Sequence, residues 1–168
     1  YVDGMIRLFG RGNGDVLDDL QPLDATCDIS WPALQAHIAR PDGDNVPDIT
    51  RITQYMLGHV DGVPLGFTDA ILFDDAHLLY SAAAEASKDA ESDGAVGGSA
   101  LGVIPHADAP GARYATLVDE RGKPFDGKIE GLVRDRFDHA RVLVVVDVDD
   151  HTRPSELCEV VLSGPWSR

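Results

Sequence analysis

A triplet of strand-like segments between Gly66 and Ile104 recurs between Lys128 and Leu162, and no other feature constrains the fold of this chain as much. In the first triplet the segments span 67–73, 77–84 and 99–104, the last two separated by a polar, glycine-rich loop. Leu78, Tyr80 and Ala82 alternate with Leu79, Ser81 and Ala83, the period-two pattern that puts two different sets of side chains on the two faces of a pleated strand. Asp74-Asp75 between the first two segments marks a turn, because short Asx side chains bond local backbone groups. The stretch is therefore expected to be an antiparallel meander.

The rest of the chain reads in the same way. Strands are expected over 5–9, 25–29, 49–60 (an outer strand), 113–118, 128–133, 140–148 and 156–162. The unbroken apolar run Val142-Leu143-Val144-Val145-Val146 predicts an inner strand covered on both faces. One short helix is expected over 31–39, with Ser30 as its N-cap and Pro32 in its first turn. Gly10-Arg11-Gly12-Asn13-Gly14 permits a wide turn, but neither its spacing nor its flanks match a phosphate-cradling loop.

The two triplets can be laid on each other. Asp69-Ala70-Ile71 falls on Glu130-Gly131-Leu132, Leu78–Glu85 on Val142–Asp149, and Ser99-Ala100-Leu101 near Ser155-Glu156-Leu157. A fainter copy places Asn13, after the first strand, with Glu85. A unit of about 60 to 70 residues built from three or four antiparallel strands is a propeller blade's signature, so the expected fold is all-β, a β-propeller segment of about three blades. The 168 residues are expected to form one such domain. First strands line a propeller's axial channel, so Asp69 and Glu130, with Asn13, Glu85 and Asp149 at second-strand ends, are expected at one channel mouth. These five are the candidate ligand-binding residues. Asp69, Glu85, Glu130 and Asp149 are the candidate metal ligands, their oxygens suiting a hard cation such as Ca²⁺. The alternative is that they cap strand ends by accepting backbone amides of neighbouring blades.

A net charge of −15 argues against nucleic acid or an anionic membrane as partner, since both require a basic face. Cys27 and Cys158 sit in apolar strand contexts without a CxxC, so a disulfide is not indicated. No run of about 18 apolar residues is present, and cytoplasmic location is favoured because no leader segment is visible. Six histidines are scattered without HxH or HExxH spacing, and no serine lies in a GxSxG elbow.

Gly12-Asn13, Gly66-Phe67-Thr68-Asp69, Ser81-Ala82-Ala83-Ala84-Glu85, Gly98-Ser99-Ala100-Leu101-Gly102, Lys128-Ile129-Glu130-Gly131-Leu132 and Asp147-Val148-Asp149-Asp150 together resemble a bacterial family of uncharacterised propeller-like proteins. The K-x-E-G-L element is also similar to that of phytase-like esterases and other six-bladed propellers. The first resemblance implies members roughly twice this length, so that the sequence corresponds to a C-terminal half, completed by another chain segment or by a second copy. Two functions follow as expectations: a propeller whose acidic channel mouth binds a divalent cation or small ligand, or a metal-assisted hydrolase of a small ester, lactone or phosphoester.

Overall fold

The computed structural model describes residues 4–12, 14, 16, 21–41, 43–87, 94–107, 111–148, 150 and 152–164. They form three antiparallel sheets in succession and one short helix, as the all-β reading expects. The first sheet is β1 (Met5–Gly10), β2 (Asp24–Ser30) and β3 (Ile49–Tyr55), with α1 (Trp31–Ala39) between β2 and β3. The second holds β4 (His59–Val60), β5 (Val63–Leu72), β6 (His77–Ala86), β7 (Ala95–Pro105) and β8 (Arg113–Thr116), in that spatial order. The third is β9 (Lys128–Arg134), β10 (Arg141–Asp147) and β11 (Glu156–Val161), with β10 central. Each sheet is a meander in which chain neighbours pair. Ser30 caps α1 by accepting the Ala33 N–H, with proline in the first turn.

The outer strand expected over 49–60 divides in two. Its first part pairs with β2, whereas His59-Val60 turns back on β5 through Asp61 and Gly62, both at positive φ as a tight two-residue hairpin requires.

Two cores lie between the three sheets. In the first, the Phe67 ring meets Phe9, Tyr55 and Tyr80 edge-on, with centroids 5.2, 5.7 and 5.1 Å away, and Leu65, Leu78, Ala82 and Ala100 complete the layer. In the second, Leu79, Leu101 and Val103 of the middle sheet face Ile129, Leu132, Val142, Val144 and Val146 of the third. β6 is thus buried on both faces, and its small Ser81, Ala82, Ala83 and Ala84 let both layers approach. β10 differs from expectation: Val142, Val144 and Val146 are buried but Val145 is 44% exposed, because only one face of its sheet has a neighbour among the described residues.

Strand registers refine the repeat. Ala82 lies opposite Phe67 and Ala100; Val146 lies opposite Ile129 and Glu156. The first strand bulges immediately afterwards in both sheets, leaving Thr68 in one and Glu130 in the other without a ladder partner. The second- and third-strand alignments agree with these registers. The first-strand alignment is corrected by one residue: Thr68, not Asp69, is the counterpart of Glu130. The sheets are also joined alike. Asp24 Oδ1 accepts the Phe67 N–H at 3.2 Å, and Ser99 Oγ accepts the Ile129 N–H at 3.3 Å, so a side chain of β2 in one sheet and of β7 in the next holds the same amide of the following sheet's first strand.

Candidate functional site

The candidate site is built around Glu85, where the β6–β7 register shifts so that Ala84 pairs with Gly98 but Glu85 with Val96. Its side chain is 2% exposed, and four groups surround its two oxygens. Oε1 accepts from Ser87 Oγ at 2.6 Å and from the Gly94 N–H at 2.9 Å. Oε2 meets the Arg11 guanidinium, arriving from the first sheet, and Lys128 Nζ at 3.3 Å, arriving from the third. Burial alone would push the Glu85 carboxyl up, but Ser87, Gly94, Arg11 and Lys128 together bring it down to about 2. Glu85 is where all three sheets meet electrostatically.

Arg11 reaches this point across β5, where a Cβ on Gly66 would come within 3.1 Å of Arg11 Cγ; glycine leaves that path open. Glu130, displaced by the β9 bulge, lies nearby. Its Oε1 is 3.6 Å from Lys128 Nζ and 4.0 Å from Arg11 Nη1, beyond hydrogen-bond length, and the side chain is 35% exposed. Arg11 Nε is buried and has no hydrogen-bond partner among the described residues. The quartet therefore has two carboxylates and two cations, with Glu85 held by several donors, Glu130 held loosely, and the Arg11 donors only partly used.

Of the five residues expected at one mouth, the structure brings together Glu85 and Glu130. Asp69 does different work: Oδ2 accepts the Leu132 N–H of β9 at 2.8 Å and Oδ1 accepts its own neighbour's amide at Ala70, the inter-sheet capping weighed as the alternative. Asn13 and Asp149 lie outside the described residues. Among the described residues no group of three His, Cys, Asp or Glu side chains is arranged to hold a metal ion. Glu85 and Glu130 already face two cations and Asp69 is taken by amides, so these three leave few free oxygens toward the six to eight of a Ca²⁺ cage. Cys27 and Cys158 are free thiols.

Arg11, Lys128, Asp24 and Ser99 are not among the five residues that the sequence places at the site. Arg11 had a local signal, since it stands inside the glycine-rich run, and Lys128 opens the K-x-E-G-L element. Asp24 is buried, and desolvation pushes its carboxyl up against the lowering effect of the Gly12 and Phe67 amides and of Arg11.

No helix among the described residues is long and apolar enough to cross a membrane. Comparison with curated proteins and with solved structures finds no match. A family model, that of a family of unknown function (DUF6910), matches residues 1–151, and the chain belongs to that family.

Proposed function

We propose that the three sheets are consecutive blades of a β-propeller and that the Arg11, Glu85, Lys128 and Glu130 quartet at its channel mouth binds a small ligand bearing a carboxylate or phosphate group. The blade reading is supported by successive meanders, by matching bulges at Thr68 and Glu130, and by the matched caps of Asp24 and Ser99. Typical propellers hold four to eight such blades around their channel, and the three sheets among the described residues are read as part of one. The observation that carries the ligand reading is the partly used guanidinium of Arg11, with a buried, partnerless Nε and Nη1 at 4.0 Å from a half-exposed Glu130. An entering oxyanion takes the place of the loosely held Glu130 carboxylate and gains charge-assisted bonds from Arg11, while Glu85 stays fixed and keeps the cations in position. The protein acts as a binding module: the hydroxyl beside the quartet, Ser87, donates to a Glu85 carboxylate held down to about 2, too weak a base to activate it.

Thermal unfolding with succinate, inorganic phosphate or calcium chloride tests this. A ligand at 100 times its Kd adds about 2.7 kcal/mol, roughly 5 to 10 °C in Tm for a chain of this size. One of the two anions is expected to give such a rise and Arg11→Gln to remove it. A rise with calcium alone would replace the anion reading by the metal one.

A further inference from the structure

The third sheet has one face on the second core and one face outward, and the outward face carries an apolar set beside the Arg141–Glu159 ion pair. Val133, Val145, Leu157 and Val161 are 56, 44, 70 and 65% exposed on adjacent strands, with half-buried Leu143 among them. Isolated exposed apolar residues need no explanation, but a contiguous set on one sheet face does. The registers supply one. With Ala82 matched to Val146, Phe67 to Ile129 and Ala100 to Glu156, these positions are the counterparts of middle-sheet residues that carry the third sheet. Leu143 stands for Leu79, Val145 for Ser81, Leu157 for Leu101 and Val133 for Ile71, and three of those four middle-sheet residues pack in the second core. Ser155, exposed immediately before β11, stands for Ser99, since Glu156 stands for Ala100. The middle sheet's docking surface is thus repeated in large part on the third, cap included, with Glu159, ion-paired to Arg141, at the counterpart of Val103.

We infer that this face docks a further antiparallel sheet of the same repeat, whose first strand runs alongside β9 and gives its backbone N–H to Ser155 Oγ as Phe67 gives to Asp24 and Ile129 gives to Ser99. The inference rests on the blade reading but not on the ligand at the channel mouth. A second copy of these three sheets is not the occupant. Among the described residues the strands of first-strand type are β5 and β9, and both already lie against the sheets that cap them. The occupant is a sheet with its own first strand, apolar where Ile129 and Leu132 are apolar in this one.

The test is a chain extended by one sheet: residues 1–164 followed by a second copy of residues 117–164, which begins with β9 and so brings its own first strand. Hydrogen exchange of the β10 and β11 amides of the original third sheet is compared with and without the extension. Docking is expected to slow it by about 10-fold or more, and Leu157→Lys in the original sheet is expected to cancel the slowing. The same substitution in the unextended chain, at a position 70% exposed, is expected to leave exchange unchanged. Equal exchange with and without the extension, or an appended sheet that stays unfolded, overturns the inference. A dimer of the unextended chain in light scattering, dissolved by Leu157→Lys, also overturns it, by showing that a second copy takes the face. The anion titration is unaffected by either result.

Discussion

Lys128 on β9 and Glu85 at the end of β6 face each other at 3.3 Å with side chains 5 and 2% exposed, a charge pair buried between the second and third sheets. Taking both charges out of water is costly, so the pair adds little net stability over a well-packed apolar pair. Removing one partner is a different matter, because the other loses a buried counter-charge, although Glu85 keeps Arg11, Ser87 and the Gly94 amide.

Lys128→Met is therefore expected to destabilise the fold by about 1 to 3 kcal/mol, read from the midpoint of urea unfolding. Lys128→Met with Glu85→Leu is expected to cost less than the sum of the two single changes. Additive losses would show that the two charges do not act as a pair.

The depressed carboxyl of Glu85 makes stability depend on pH. Its folded value of about 2 lies below the ordinary 4.5, so ionised Glu85 stabilises the fold above about pH 4.5 and that contribution disappears as pH falls toward 2. A shift of this size corresponds to about 3 kcal/mol. Asp28, held low chiefly by its hydrogen bonds to Arg7, adds a loss of the same sign, while Asp24, raised by burial, works in the opposite direction. Unfolding free energy followed between pH 6 and 2.5 is expected to fall, and to fall less steeply in Glu85→Gln. Parallel slopes in the two proteins would contradict the placement of Glu85.

Ser99 Oγ donates to the Gly127 carbonyl at 2.7 Å and accepts the Ile129 N–H at 3.3 Å, so Ser99→Ala leaves two backbone groups of the next sheet's entry unpaired. The expected loss is about 1 to 3 kcal/mol. Hydrogen exchange should show it first as faster exchange in β9, with the first sheet unaffected.

Tyr80 is fully buried and its hydroxyl has no partner among the described residues. Burial pushes that phenol up, and Tyr80→Phe removes the unsatisfied group while keeping the ring against Phe67. Unfolding stability is expected to be unchanged or to rise by about 1 kcal/mol. Gly102→Ala is expected to be far more harmful, since its Cβ would lie 2.2 Å from the Tyr80 ring.

Much of this architecture is legible in the residues. Alternation in Leu78–Ala83, the Asp74-Asp75 turn and the Ser30-Pro32 helix start are local signals, and the elements stand where those signals put them. The second-strand match of Ala82 with Val146 also survives, because paired strands without insertions preserve spacing. The first-strand match slipped by one residue because bulges at Thr68 and Glu130 have no period-two signature. The site was half visible. A cluster of carboxylates reads as a cation site when their partners are unknown, and the partners here, Arg11 and Lys128, come from two other sheets. Asp69 illustrates the same difficulty, since its partner at Leu132 is set by how two sheets stack and not by any local pattern.

Calorimetric titration of succinate and inorganic phosphate into the native chain and into Arg11→Gln at pH 7 tests the central claim most directly. The proposed channel mouth predicts saturable binding of one of these anions to the native chain, at one site, and a loss of at least about 10-fold in affinity when the guanidinium is replaced, about 1.4 kcal/mol. Binding that is equally tight in Arg11→Gln, or calcium binding with neither anion bound, would contradict it.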